Sequence, residues 1–417
     1  MLSNWNSMTK TIFKLFLLLL LKTSLYAQDA KEGSWRGEIH YQPTGENLTV
    51  IPFTFTVSYP ENANAPVLNF INGQDSASIN ATVQNDTITV PMFGFDITLK
   101  MAVSKFDSDI MNGYLIKYYN DRKYDFKAVY GAPRYVIEQE EDVIQVGSRW
   151  NMKVNVGRPD EYPAVGLFEQ EGNRVTGTIM TEVSDYRFFE GKVEGNELEM
   201  SVFDGVHSFL LKGSYNEQED RWKGELILDE GYSRPWVAEQ DNGAELPDPF
   251  EIVDLTGKNI RPDLKKLAAL TDQQIDPQDY EGNVLVVQLM GTWCSNSQDQ
   301  TRYLTDWMDN NSDRDVKLLA VNYEANYSPE YGLSRIETYK DRLDIPYPMI
   351  LGGPLSKTKA AEAFPFMDEI LAFPTLVFID KGGYARYVHS YFTGPATGEY
   401  YKDFDQRFNA IIDELTQ

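Results

Sequence analysis

The stretch Gly291-Thr-Trp-Cys-Ser-Asn-Ser-Gln298 decides how this chain is read, because it holds the only cysteine among 417 residues. It follows Val284-Leu-Val-Val-Gln-Leu-Met290, a near-continuous apolar run of the kind a strand buried on both faces needs. After it, Gln298–Asn310 carries Tyr303, Leu304, Trp307 and Met308 on one helical side. A cysteine at a helix start sits near unpaired backbone N–H groups, at the positive end of the helix dipole. A thiolate is stabilised there, and such cysteines titrate well below the ordinary value of about 8.5. A lone cysteine is otherwise an inert small hydrophobe, but these neighbours favour a reactive Cys294. Trp293 would shield one side of it and offer an apolar docking surface.

The pattern continues to the C-terminus. Val316–Val321, Tyr347–Leu351 and Thr375–Ile379 read as strands, and Glu330–Leu343 as a helix, with another helix starting near Leu355. Gly398–Leu415 closes as an amphipathic helix bearing Tyr401, Phe404, Phe408, Ile411 and Ile412. Strands alternating with helices predict an α/β unit over 246–417.

This region resembles the thioredoxin fold, and more closely the TlpA family of exported thiol–disulfide oxidoreductases. The likeness rests on Met290-Gly-Thr-Trp-Cys-Ser-Asn-Ser297, on Phe373-Pro-Thr-Leu-Val-Phe-Ile-Asp-Lys-Gly-Gly383, and on Phe392-Thr-Gly-Pro-Ala-Thr-Gly-Glu-Tyr400. It implies a cis Pro374 facing the cysteine, with the backbone at Phe373 hydrogen-bonding an extended substrate strand. The catalytic candidates are then Cys294, Ser297, Trp293 and Pro374, and the substrate-binding candidates Phe373 and Trp293. Two departures belong together. The family's second cysteine falls on Ser297, giving a C-x-x-S site that cannot close a disulfide. Gln288, six residues before Cys294, replaces a buried carboxylate that would serve the missing thiol.

Upstream, residues 33–240 read as strands almost throughout. Ile51–Val57, Thr87–Val90 and Phe95–Leu99 alternate apolar and polar, and Asn-Gly or Gly-Asn pairs at 72–73, 112–113, 172–173 and 195–196 mark turns. Gly33-Ser-Trp-Arg-Gly and Gly147-Ser-Arg-Trp open what reads as a duplication. The expected architecture is multidomain: duplicated antiparallel β-rich units, barrel or sandwich, at 33–131 and 147–238, before the α/β thioredoxin-like domain. Val136–Val146 and Ala238–Pro249 read as linkers. The second unit is denser in motifs, among them Asp185-Tyr-Arg-Phe-Phe-Glu-Gly and Ser201-Val-Phe-Asp-Gly-Val-His207, whose aromatics are assigned to a core. Similar β-rich extensions precede the redox domain in some members of the resembled family. His207 has no second His or Cys at metal-ligand spacing, so its reading is a structural hydrogen bond.

Composition bounds the partners. Asp and Glu outnumber Lys and Arg 63 to 38, a net charge of −25 that argues against nucleic-acid backbones and anionic membranes. Lys10 and Lys14, the apolar run Leu15–Leu21, and Ala27 before Gln28 form a signal peptide over 1–27. The run is too short to span a bilayer. The expectation is an exported protein, most simply periplasmic, with no membrane span after cleavage and no metal or cofactor.

Two functions follow. In the first, Cys294 attacks disulfides or oxidised thiols of exported proteins, and an external thiol or redox partner completes turnover, because one thiol cannot resolve its own mixed disulfide. In the second, a degenerate thioredoxin fold holds clients without catalysis. A cysteine peroxidase fits worst, since Gly291 stands where related peroxidases place a threonine.

Overall fold

The computed structural model describes residues 29–42, 47–61, 63–92, 96–137, 143–257, 260–264, 275–325 and 328–417. The expected signal peptide, and residues 138–142 of the first expected linker, lie outside these.

Both β-rich units are antiparallel barrels, and they begin alike. Gly33 and Gly147 take left-handed φ values of +119° and +85°. Each admits a fully buried tryptophan: Trp35 Nε1 donates to the Lys31 carbonyl at 2.9 Å, and Trp150 Nε1 to the Val146 carbonyl at 2.6 Å. In each unit the first strand pairs with the last, Gly33–Tyr41 with Arg122–Tyr130 and Arg149–Val154 with Ser233–Gln240. Each unit forms a nine-stranded sheet. The second closes fully, because Tyr162–Glu171 pairs on one side with Arg149–Val154 and on the other with Arg174–Thr181. The edge strands of the first, Asp75–Asn80 and Thr82–Gln84, are consecutive in the chain and short.

Two details differ from the sequence expectation. Asn112-Gly113 is no turn: it lies inside the strand Ile110–Lys117. A Cβ on Gly113 would stand 1.9 Å from the Lys100 carbonyl oxygen, so the glycine serves close strand approach. The stretch Ala238–Gln240, expected in a linker, belongs to the last barrel strand, where Trp236 and Ala238 are buried.

The barrels share a core. Glu197–Phe203 buries alternate residues, Leu198, Met200 and Val202, inside its own barrel. Its last residue, Phe203, faces the first barrel, 4.5 Å ring to ring from Phe53. Val206, Leu210 and Ile227 join it there. Backbone and side-chain bonds stitch the seam: Asn72 Nδ2 donates to the Phe203 carbonyl at 2.7 Å, and Ser201 Oγ to the Pro52 carbonyl at 2.6 Å. Lys117, only 1% exposed, meets Asp229 of the second barrel at 3.4 Å. Burial works against its charge, but Asp229 and the rings of Tyr41 and Tyr124 outweigh that and hold it protonated.

The C-terminal domain is a mixed five-stranded sheet between helices. Val284–Met290 lies at its centre, parallel to Val316–Glu324 and antiparallel to Thr375–Ile379. Met349–Pro354 and Ala385–His389 form the edges. The latter strand is absent from the sequence reading, because its exposed Arg386 and half-buried Tyr387 break the apolar run. Among the described residues, four α-helices follow in order: α1 (Ser295–Asn310), α2 (Pro329–Leu343), α3 (Lys357–Ala363) and α4 (Glu399–Thr416). Leu304 and Trp307 of α1 and Phe404, Phe408 and Ile412 of α4 cover one face of the sheet. Among the described residues, no helix is long and apolar enough to cross a membrane.

Candidate functional site

Cys294 caps α1. Its backbone is extended, and its carbonyl accepts the first helical bond, from Gln298 N–H at 3.1 Å. The sulfur receives the Ser297 N–H at 3.4 Å and donates to the Phe373 carbonyl, also at 3.4 Å. The Phe373–Pro374 bond is cis. Trp293 Nε1 is anchored on the Tyr323 carbonyl at 2.7 Å, and its ring stands edge-on to Phe373 at 6.4 Å. The structure therefore brings Trp293, Cys294, Ser297, Phe373 and Pro374 to one place.

Ser297 is fully buried, and its Oγ accepts the Gly291 N–H at 3.5 Å. Gln288, also buried, donates to the Gln300 Oε1 at 3.1 Å and accepts from Thr301 Oγ1 at 3.2 Å. These amides and hydroxyls tie the central strand to α1. Serine at 297 adds a hydrogen bond and removes the second thiol.

One expectation is overturned. The helix-start argument puts the Cys294 thiol low, but Cys294 is only 7% exposed, and burial pushes the thiol up instead. The Ser297 N–H favours the thiolate without reversing this. Desolvation penalises the charged form more than one helix terminus rewards it.

The second barrel stands against this helix start, and its residues were missed as site residues in the sequence. The loop after Arg174–Thr181 reaches the first turn of α1. There the Asp185 carboxylate accepts Asn296 Nδ2 at 3.1 Å and the Gly394 N–H at 2.9 Å. Arg187, held at φ +60°, donates to the Ser295 carbonyl at 3.2 Å. Its guanidinium pairs with Asp299 of α1, with Asp75 of the first barrel at 3.2 Å, and with Asp204 of its own barrel at 3.7 Å. All three units thus meet on one buried cation. Several carboxylates share it, so burial and the neighbouring Asp75 and Asp185 push Asp299 up to about 6 despite Arg187. Burial also raises Asp185, while the surrounding acids keep Arg187 charged. From the next turn, His207 Nδ1 lies 3.1 Å from Ser295 Oγ and 3.4 Å from Asp204.

Between barrel and domain a cleft of about 520 Å³ remains open. Cys294, Trp293 and Phe373 line one wall, and Val183, Tyr186, His207 and Phe209 the other. In sequence, Asp185-Tyr-Arg and Phe203-Asp-Gly-Val-His carry charged side chains that interrupt strand patterning, which marks a turn but not a docking turn. Among the described residues no cluster of His, Cys, Asp and Glu could hold a metal ion.

Residues 259–388 match the AhpC/TSA family, so the C-terminal part is a thioredoxin-like domain of that kind. Among solved structures, the chain is similar to a thiol:disulfide interchange protein of the thioredoxin family from Chlorobium tepidum TLS, at 16% identity. That match covers 42% of this chain and 100% of the other, with a TM-score of 0.27. It is also similar to a thiol-disulfide isomerase from Corynebacterium glutamicum at 12% identity, covering 41% and 97%, with a TM-score of 0.28. A secreted thiol-disulfide isomerase from the same organism matches at 18% identity over 51% and 99%, with a TM-score of 0.26. No curated protein matches the sequence.

Proposed function

We propose that this protein exchanges its single thiol with disulfides of exported proteins, as a monothiol of the TlpA type, and holds the product as a mixed disulfide until an external thiol releases it. The observation that carries this reading is the setting of Cys294. Its sulfur lies between the Ser297 N–H and the Phe373 carbonyl and opens onto the cleft. In the step, the Cys294 sulfur bonds to one sulfur of a disulfide and the other sulfur leaves as a thiol. A second thiol then attacks the adduct and restores Cys294. Ser297 can take no part in that release, so dithiol turnover without added thiol is not expected. Periplasmic residence, after removal of residues 1–27, belongs to the same proposal.

A second reading, client binding without chemistry, is favoured by the burial of the thiol and the upward push on its titration. One experiment separates the two. The folded protein is incubated with oxidised glutathione at pH 7 and pH 9, with Cys294→Ser as blank, and analysed by intact mass. Exchange predicts one adduct per chain, formed faster at pH 9 because the protonated thiol is unreactive, and released by reduced glutathione. If the folded protein forms no adduct at either pH while the denatured chain does, binding alone is the function.

A further inference from the structure

The exchange step has a proton problem that Gln288 and Ser297, the residues packed beneath the thiol, do not solve. Cys294 must lose a proton and the departing sulfur must gain one, yet Gln288 beneath the site cannot titrate and Ser297 replaces the second thiol. We propose that the second barrel supplies the missing group, with His207, set by Asp204, as the proton carrier of the Cys294 cleft. The inference rests on the exchange reading above and adds a residue to that site.

The geometry is specific. Asp204 fixes the turn by accepting the Val206 and His207 N–H groups on Oδ1 at 2.9 and 2.7 Å, and its Oδ2 faces His207 Nδ1 at 3.4 Å. The same nitrogen reaches Ser295 Oγ, on the residue after Cys294, at 3.1 Å. The imidazole packs against Phe209, stacked at 5.5 Å, which also lines the cleft. Asp204 thus orients the imidazole through Nδ1, and the ring and the Cys294 thiol line one cleft. His207 and Trp293 also border a second cavity of about 140 Å³, which is lined by Glu324, Asp96, Tyr331 and Arg335.

The charges facing this pair come from every unit. Around His207 stand Asp204, Asp229 and, from the first barrel, Lys117. Around Cys294 stand Asp299 with Arg187, and Lys357 on the cleft rim. Burial pulls His207 down, but Asp204 and Asp229 outweigh it, so the ring titrates above its ordinary value. In its neutral form the ring takes the Cys294 proton as the sulfur attacks, and the imidazolium so formed gives it to the departing thiolate, so the step neither consumes nor liberates protons.

The test is the pH dependence of Cys294 alkylation by iodoacetamide in the full-length protein, run beside mixed-disulfide formation with oxidised glutathione. Wild type should show two inflections, one from His207 above about 6.5 and one from the thiol. His207→Gln should lose the lower inflection and react about tenfold more slowly with the disulfide at pH 7. Asp204→Asn should move that inflection downward. Because either variant could loosen the barrel, Ser295→Ala on α1 breaks the His207 contact from outside the barrel, and it should move the lower inflection. A His207→Gln profile superimposable on wild type, with equal disulfide rates, overturns the inference and leaves the exchange reading standing. A lost inflection in a protein that forms no mixed disulfide supports the His207–Cys294 coupling and sinks the exchange reading.

Discussion

The barrel that begins at Gly33 and the barrel that begins at Gly147 share a left-handed glycine, a tryptophan bonded to a carbonyl four residues upstream, and a first strand paired with the last. They differ in what their outer surfaces meet. The first barrel takes Phe203, Val206, Leu210 and Ile227 of its neighbour into its own core. The second closes on a separate core and sends two polar turns onto α1, through Asp185 and Arg187 and through Asp204 and His207. A duplicated scaffold has thus divided its work. Both copies meet the C-terminal domain, the first through Met92 and Asp96 against α2, and the second as a wall of the cleft around Cys294. The loops carry the difference, as expected when a rigid sheet holds variable turns.

The comparison breaks most severely at the Lys117–Asp229 pair, where the two barrels share a buried charge. Asp229→Ala leaves Lys117 in the seam without its carboxylate and is expected to cost about 3–5 kcal/mol in chemical denaturation. Adding Lys117→Met should recover most of the loss. A loss below about 1 kcal/mol for Asp229→Ala would mean that the seam does not depend on the pair.

Two phenylalanine deletions sharpen the division of labour. Phe203→Ala and Phe189→Ala each remove a fully buried ring and should cost about 3–5 kcal/mol. Their consequences should differ by location. Phe203 packs against Phe53 and Phe70, so its loss should expose the first barrel to limited proteolysis. Phe189 belongs to the second barrel's core, two residues after Arg187, so its loss should speed Cys294 alkylation instead. Indistinguishable cleavage and alkylation patterns would show that the barrels behave as one body.

The smallest expected effect separates both barrels from the C-terminal domain. His389 is fully buried against Phe250 and Phe404, and burial, with Arg407 nearby, pulls its titration down to about 3. The unfolded chain binds a proton there below about 6.5, whereas the folded domain stays neutral down to about 3. Stability is therefore intact above 6.5 and falls with acidification, by at most about 1.4 kcal/mol per pH unit, or about 2 kcal/mol by pH 5. His389→Leu should flatten this part of the melting profile, measured by thermal unfolding between pH 5 and 7. An unchanged slope would place the acid sensitivity elsewhere, for instance among the carboxylates around Arg187.

How much of this was legible depends on the range of each interaction. The site in the C-terminal domain was readable because its parts are local or adjacent in one sheet: a buried strand, a capping cysteine, and a proline before the next strand. The barrels were readable from alternation, and their repeated openings from Gly-Ser-Trp and Gly-Ser-Arg-Trp. The interface was not readable. Arg187 and Asp299 lie 112 positions apart, and nothing in Asp185-Tyr-Arg distinguishes a docking turn from a solvated one. The direction of the Cys294 titration failed for the same reason: a helix terminus is visible in sequence, and the wall that desolvates it is not. Asn112-Gly113 failed differently, because the same pair suits a tight turn or two strands in close contact.

The docking of the second barrel on α1 also gives the molecule a timetable. A chain is made from its N-terminus, and domains fold as units while synthesis proceeds. Both barrels precede residue 294, so Arg187, Asp185 and His207 can be in place before α1 exists to meet them. During synthesis the sulfur is uncovered only between the emergence of its helix and the closing of that contact. Refolding of the whole chain in a test tube has no such order. There the C-terminal domain can form first, with its thiol open to solvent and to other copies, and pairing of two chains through Cys294 competes with the covered state.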